Sequence, residues 1–283
     1  MEYNGGLGAW CRGARGAKIY TCSRRASTTV KRAVRRPPVL PRWALGDCWS
    51  RYHAYSAGEY LGRVPALRGR RSPFRWPCWT WTGIWCARWT PPKAVADFTR
   101  DPALFPDPDA FLAALNARGV KVPLNLHPAD GVGSSEERSA GMALALGRDR
   151  SRGDPIPFDP TDRDFLRAYF DVLLHPLEEQ GVDFWWINWQ PGPYPRLSGV
   201  DSLWLLDHHH FVNAVRDGRR PLILSRYAGP GSHRYPVGFS GDPVISWASL
   251  AFQPEFTATA ANIGYGWRAT TSEATFSKGG ATR

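Results

Sequence analysis

Apolar positions between residues 101 and 267 follow helical and strand spacings in turn. Phe111, Leu112 and Leu115 share one face of a helix that Asp109 can cap and Gly119 can end. Further helices are predicted over residues 162–181 and 211–215, and strands over 120–127, 182–188 and 221–225. Strands that alternate with helices at this spacing are typical of a parallel α/β sheet.

The fold class that this alternation favours is a partial (β/α)8 TIM-type barrel, with parallel strands and helices outside. The strand over 182–188 is apolar nearly throughout, as expected of a strand buried on both faces. No glycine-rich phosphate loop follows any predicted strand, which disfavours a nucleotide-binding fold. Barrels of this kind carry their chemistry where the strands end, and those ends are His127, residues 188–190 and Arg226.

Composition narrows the class of protein. The chain has 283 residues, of which 43% are hydrophobic, so it is long enough for a large core. It contains no run of eighteen apolar residues and no apolar segment behind an N-terminal charge, which predicts neither a membrane span nor a signal peptide. These absences favour a cytoplasmic protein.

The net charge of +11 is unevenly distributed. Residues 1–100 hold 19 Lys and Arg against 4 Asp and Glu, and residues 101–283 hold 17 against 21. A basic arm that binds nucleic acid is one interpretation, and it predicts salt-sensitive binding. We disfavour it because the same hundred residues also hold all five cysteines and eight of the fourteen tryptophans. The cysteines lack the paired spacing of a zinc site.

Several motifs, in order, resemble family 31 of the glycoside hydrolases, the α-glucosidases and α-xylosidases. They are Pro41–Gly46, Leu104–Pro108, Leu124–Pro128, Val182–Gln190, Leu224–Tyr235 and Gly238–Asp242. The resemblance implies a catalytic barrel over residues 37–267 and retaining hydrolysis of an α-glycoside or oligosaccharide by two carboxylates. It implies no cofactor and no metal.

The resemblance also assigns residues to the site. Position 188 is that of the nucleophile, which is an aspartate in the family and Asn188 here, and Asp242 matches the general acid/base. The substrate-binding positions that it implies are Arg226, Trp186, Trp189 and Phe239. Two other interpretations are open: Asp242 as a loop-capping residue, and His208–His210 as metal ligands. Three adjacent histidines cannot easily share one ion, which favours a structural role for them.

Asn188 determines the expected activity, because a neutral amide is a poor nucleophile and carries no charge to stabilise an oxocarbenium ion. We therefore expect hydrolysis by this chain to be impaired. A catalytically dead carbohydrate-binding protein is the alternative, since the change from carboxylate to amide preserves shape.

Three segments, 1–36, 61–96 and 268–283, are interpreted as translated out of frame. Synonymous codons for Cys78–Trp85, read two bases later, give L-D-M-D-W-H-L, an aspartate-rich family motif expected there. Codons for Ala269–Thr275, read one base earlier, give the family's S-H-D-I-G-G-H motif. These segments would replace barrel strands, so residues 37–60 are expected to form an isolated island.

Overall fold

The computed structural model describes residues 37–45, 55–69, 98–149, 153–187, 200–216, 218–226, 231–239, 246–262 and 264–269. The chain is divided into two compact units. Val39–Arg226 forms one unit, and the residues before and after this range form the other. Within the described ranges, we find no helix with the length and apolar character needed to cross a membrane.

Three parallel strands form the centre of the first unit. They are β1 (Pro123–Leu126), β2 (Phe184–Ile187) and β3 (Ile223–Arg226). Leu124 pairs with Trp185, which in turn pairs with Ile223, so neighbouring strands are parallel and in the order β1-β2-β3. Strands β1 and β2 lie inside the predicted segments, and β3 extends one residue beyond the predicted end at 225.

Helices connect these strands. The described helices of the unit are α1 (Ala57–Gly69), α2 (Pro108–Ala117), α3 (Ser139–Ala145), α4 (Arg163–Ala168), α5 (His175–Glu179) and α6 (Ser202–Asn213). A π-helical segment, Tyr169–Leu174, joins α4 to α5. The helix predicted over residues 162–181 is therefore one helical stretch with a π segment in its middle. Helix α3 was not predicted, and α6 begins about nine residues before the predicted start at 211.

The cap predicted for α2 was wrong by two residues. Asp107, not Asp109, precedes the helix, and its carboxylate accepts a hydrogen bond from the Ala110 backbone N–H at 2.9 Å. Pro108 occupies the first helical position, where a missing N–H costs nothing. Asp109 lies in the first turn, where its charge still favours the helix.

The core lies between the strands and the long helical stretch. Tyr169 is fully buried, and its ring lies about 6 Å from the rings of Phe98, Phe158 and Phe165. Aromatic pairs at these distances stabilise a core beyond the area that they bury. The core therefore includes Phe98, which lies just after the segment 61–96.

The described parts of the segment 37–60, residues 37–45 and 55–60, are not isolated, which corrects the expectation of an island. Tyr60 is 3% exposed and meets Phe111 of α2 edge to face, with ring centroids 5.6 Å apart. Trp43 lies 5.5 Å from Phe184 of β2. Helix α1 also continues to Gly69, past the boundary placed at residue 60. The first described helix is thus anchored on the βα units that follow it.

The second unit contains two short parallel strands, β4 (Gly238–Phe239) and β5 (Arg268–Ala269), and helix α7 (Trp247–Ala261). The unit is closely packed at Gly238, where an added Cβ would lie 1.8 Å from the Tyr265 hydroxyl. The Arg268 guanidinium lies 3.7 Å from the centre of the Phe256 ring. Its burial lowers the pKa of Arg268 to about 10.

Replacing Gly131 by alanine is expected to destabilise the chain by about 2–4 kcal/mol. Gly131 has a φ of 77°, and an added Cβ would lie 2.1 Å from the Ile156 carbonyl oxygen. That oxygen accepts the Val132 N–H at 2.8 Å in an isolated antiparallel bridge. The measurement is urea-induced unfolding of the parent and the variant.

Gly147→Ala is the matched control for Gly131→Ala. Gly147 also has a positive φ, 62°, but nothing lies within 4 Å of an added Cβ. Gly147→Ala should lower the free energy of unfolding by about 1 kcal/mol, which is the strain of an alanine in the left-handed conformation. Equal losses in the two variants would show that crowding against Ile156 contributes nothing.

Candidate active site

The carboxyl ends of the three parallel strands lie at one edge of the sheet in the first unit. Trp186 of β2 pairs in register with Asn125 of β1 and with Leu224 of β3. Since side chains alternate along a strand, residues in register lie on the same face. Asn125, Trp186 and Leu224 therefore form one layer of side chains, and Arg226 lies on the same face of β3, two residues closer to the edge.

Trp185 lies on the opposite face and has a structural role. It is 3% exposed, and its indole N–H donates to the Glu178 carboxylate of α5 at 2.6 Å. Glu178 also pairs with Arg216 at 2.5 Å. Trp185 therefore faces the helices, and Trp186 is the half-buried tryptophan on the other face.

Asn125 is a candidate that the sequence analysis missed. Its amide oxygen is buried and has no hydrogen-bond partner among the residues that the structure describes. Leaving a buried polar atom unsatisfied usually costs about 1–3 kcal/mol, so such an atom calls for an explanation. The signal was present in the sequence as one polar residue between Leu124 and Leu126 in a buried strand. A ligand hydroxyl placed beside Trp186 would satisfy it.

Arg226 ends β3 and is half-buried. The preceding residue, Ser225, is 1% exposed and donates its hydroxyl to the Asp207 carboxylate of α6 at 2.6 Å. The Ser225 hydroxyl also lies 3.2 Å from the Arg226 carbonyl oxygen. This contact holds α6 against the last residues of β3 and fixes the backbone from which Arg226 extends.

Asp207 is an unusual anchor because its carboxyl is 1% exposed. Burial raises the pKa of Asp207 well above its usual range, and the Asp201 charge adds to the rise, while the Ser225 hydrogen bond opposes both. Removal from water disfavours the charged form of any carboxyl group. Burial therefore disfavours the charged form of the Asp207 carboxyl in the folded chain.

The three histidines, His208–His210, lie within α6 and face different surroundings. His210 is buried, and its Nε2 lies 3.1 Å from the Tyr169 hydroxyl. Burial, with a smaller contribution from His209, lowers the pKa of His210 to about 3, so this ring is neutral at pH 7. His208 stacks on Trp204 at 5.9 Å. Nowhere in the described part of the chain do three or more metal-ligating side chains gather.

The structure describes three of the six site residues derived from the sequence. Trp186 and Arg226 lie in the first unit on neighbouring strands, and Phe239 lies in β4 of the second unit and is 3% exposed. Asn188, Trp189 and Asp242 lie outside the described residues.

The chain is similar in sequence to a known catalytic domain. The family model described as "Glycosyl hydrolases family 31 TIM-barrel domain" matches residues 37–270. This match confirms the predicted fold class of a parallel α/β barrel and covers nearly the same span as the predicted 37–267.

Solved structures share the fold. The family 31 α-xylosidase from a soil metagenome, complexed with xylose, is 19% identical, with a TM-score of 0.64 over 87% of this chain and 39% of its own. The α-xylosidase from Xanthomonas citri is 22% identical, with a TM-score of 0.60 over 87% and 30%. The cycloalternan-degrading enzyme from Trueperella pyogenes, in complex with cycloalternan, is 16% identical, with a TM-score of 0.62 over 87% and 39%. The chain spans less than half the length of each.

Proposed function

Because the chain belongs to family 31 of the glycosyl hydrolases, we propose that it is a degenerate retaining α-glycoside hydrolase whose site once cleaved α-xylosidic or α-glucosidic bonds. The observation that carries this proposal is the shared layer of Trp186 and Asn125, with Arg226 following on the neighbouring strand at the carboxyl edge. An indole, an amide and a guanidinium offer the apolar wall and the hydrogen-bonding groups that a sugar ring requires.

In the proposed reaction, the carboxylate at position 188 attacks the anomeric carbon and forms a glycosyl-enzyme ester. The carboxyl of Asp242 protonates the departing glycosidic oxygen and then removes a proton from the water that hydrolyses the ester. Arg226 donates hydrogen bonds to sugar hydroxyls near position 188. With Asn188 in place of aspartate, the first step lacks its nucleophile, so this chain is proposed to be impaired.

The substrate class rests on the relatives and on the chemistry of the layer. One neighbour is complexed with xylose and another with cycloalternan. The layer of Asn125, Trp186 and Leu224 carries no charge, which suits an uncharged sugar. An oligosaccharide or simple α-glycoside is therefore the proposed substrate.

The test is the stereochemistry of the product. A chain with Asn188→Asp and the three shifted segments returned to frame is incubated with an aryl α-xyloside and an aryl α-glucoside, and early product is observed by proton NMR. The α-anomer should appear first, before mutarotation, because two displacements restore the configuration.

The alternatives predict different results in this assay. First appearance of the β-anomer would overturn the retaining mechanism. Binding of xylose or glucose without any hydrolysis, even with aspartate at position 188, would favour a carbohydrate-binding protein without catalytic activity. Asp242→Asn in the same restored chain is the control that should remove acid/base catalysis while leaving the fold unchanged.

A further inference from the structure

A single hydroxyl group connects the buried carboxyl of α6 to the strand end that carries Arg226. The Ser225 Oγ lies 2.6 Å from the Asp207 Oδ1 and 3.2 Å from the Arg226 carbonyl oxygen. A carboxylate and a carbonyl both accept hydrogen bonds, but a serine hydroxyl carries only one hydrogen. While Asp207 is charged, Ser225 therefore cannot form a full hydrogen bond with both oxygens at once.

The two faces of β3 keep the Asp207 carboxyl apart from the proposed sugar-binding side. Side chains alternate along a strand, so Ser225 faces α6 while Arg226 extends on the opposite face, the face of Leu224. Asp207 and Ser225 are each 1% exposed. A change at Asp207 can therefore reach Arg226 through the backbone of β3, without any contact between Asp207 and a ligand.

Two hydrogen-bond arrangements follow from the chemistry of the carboxyl group. A charged Asp207 only accepts, so it takes the Ser225 hydrogen. A neutral Asp207 carries a hydrogen of its own and donates it to the Ser225 Oγ, which leaves the serine hydrogen to the Arg226 carbonyl oxygen. The two arrangements differ by one proton, which Asp207 exchanges with water.

The surroundings of Asp207 determine which groups act on its proton. Burial raises the pKa of this carboxyl, the serine hydrogen bond opposes the rise, and the Asp201 charge at the start of α6 adds to it. The other titratable or charged groups on these two elements are His208–His210 of α6 and Arg226 of β3, whose side chain extends on the other face. Burial lowers the pKa of His210 to about 3, so its ring is neutral at pH 7.

We propose that Asp207 is a positioning residue for Arg226, and that its proton decides whether the Ser225 hydroxyl holds the backbone at the end of β3. When Asp207 is neutral, the Arg226 carbonyl accepts the serine hydrogen and the strand end is tied to α6. When Asp207 is charged, that hydrogen bond is released. The inference rests on the proposed function for the role of Arg226 in sugar binding, and it adds that a buried carboxyl outside the site makes this role depend on pH.

The experiment follows two carbon-13 signals of the labelled full chain by NMR while pH is raised from about 4 to about 9. They are the Asp207 carboxyl and the Arg226 backbone carbonyl, whose chemical shift responds to the hydrogen bond that its oxygen accepts. In the parent, both signals should move with one common midpoint, because one proton controls both. In Asp207→Asn, which has no proton to lose, the Arg226 signal should stay constant. A shift that persists in this variant would come from the histidines of α6 and would contradict the proposal.

Variants at position 225 separate the effect of the hydroxyl from the effect of the charge. In Ser225→Ala the Asp207 carboxyl should still titrate, while the Arg226 carbonyl no longer follows it. Ser225→Thr keeps a hydroxyl and should restore the common midpoint, which a merely structural role for serine does not require. The matched control is Asp164→Asn, the same chemical change at an exposed position of α4, which should behave as the parent does.

Three results would overturn the proposal. They are an Arg226 signal that stays constant in the parent while Asp207 titrates, an Arg226 signal that still follows Asp207 in Ser225→Ala, and an Asp207 carboxyl that keeps one state over the whole pH range. The parent titration decides the first and third without any variant, so the proposal stays testable even if Ser225→Ala does not fold.

Sugar binding distinguishes failure of this inference from failure of the proposed function. Xylose and glucose are titrated calorimetrically into the parent and Asp207→Asn, below and above the NMR midpoint. The parent affinity should fall about threefold to tenfold as pH rises, the effect of losing one hydrogen bond that holds Arg226 in place, and the variant affinity should not follow pH. Coupled NMR signals without sugar binding at any pH would support the positioning of Arg226 and count against the proposed function. Sugar binding in a parent whose two signals are uncoupled would leave the function standing and remove only this inference.

Discussion

In a chain whose segments 1–36, 61–96 and 268–283 are returned to frame, Asn188→Asp is expected to raise the rate of aryl α-glycoside hydrolysis by at least about a hundredfold. Removing one charge-stabilising group from an active site typically costs on the order of 10²–10³ in kcat, and a missing nucleophile costs more. The measurement is release of p-nitrophenol from the α-xyloside and the α-glucoside, with kcat and KM determined separately.

The gain should appear in kcat, because the amide already fills the space of the carboxylate and substrate binding changes little. Two matched variants isolate the effect: the restored chain with Asn188, and the restored chain with Asn188→Asp and Asp242→Asn. Both should stay near the background rate. A restored chain that hydrolyses equally well with asparagine at this position would contradict the assignment of the nucleophile.

Restoring the frame is itself a proposal about the gene. Accurate sequencing of the DNA should show whether one frame runs through the D-M-D-W-H and S-H-D-I-G-G-H motifs with an aspartate codon at position 188. If it does, the gene encodes an active glycosidase. A confirmed asparagine codon and confirmed shifts would mean that the locus is decaying.

Asp207→Asn is expected to stabilise the chain by about 2–4 kcal/mol at pH 8. Asp207 is 1% exposed, and the Ser225 hydroxyl at 2.6 Å is too weak a partner to offset the loss of hydration of a charged carboxylate. The amide oxygen of asparagine accepts the same hydrogen bond without carrying a charge. Thermal and urea unfolding of the two chains measures the difference.

The difference should depend on pH in one direction. Burial raises the pKa of Asp207 in the folded chain, whereas in the unfolded chain it stays near the ordinary value of 3.8. Stability linked to this group is therefore fully present below about pH 4 and is lost as pH rises toward the folded pKa. The advantage of Asp207→Asn should be small at pH 4 and should grow as pH rises.

His210 does not affect the difference in stability between the parent and Asp207→Asn. Its lowered pKa of about 3 reduces the stability of both chains as pH falls below 6.5, so its contribution cancels in the difference. Asp164→Asn is the control, since its exposed pair with Arg167 at 3.4 Å contributes little. A stabilisation by Asp207→Asn that is the same at pH 4 and pH 8 would show that charge burial is not its cause.

Much of the fold could be predicted from the sequence because its signals are local. The strands at 123–126 and 184–187 fall inside the predicted segments, and the strand at 223–226 ends one residue beyond its segment. Runs of apolar residues bounded by turn residues can be recognised without knowledge of distant contacts. The family was also identified from motifs, and the match over 37–270 confirms it. Element boundaries were less accurate: α6 begins at Ser202 because Asp201 caps it, a signal that was not used.

For the candidate site, too, the sequence supplied one part of the information and the tertiary structure supplied the other. By itself, the sequence determined the family and the fold class, and it also assigned the proposed site positions, including Asn188, because each of these depends on neighbouring residues. Only the tertiary structure decided that Trp185 contacts Glu178 while Trp186 shares a layer with Asn125. It alone brought Ser225 to Asp207 and paired Val132 with Ile156. These contacts join residues far apart in the chain, so they depend on how the strands pair and the helices pack.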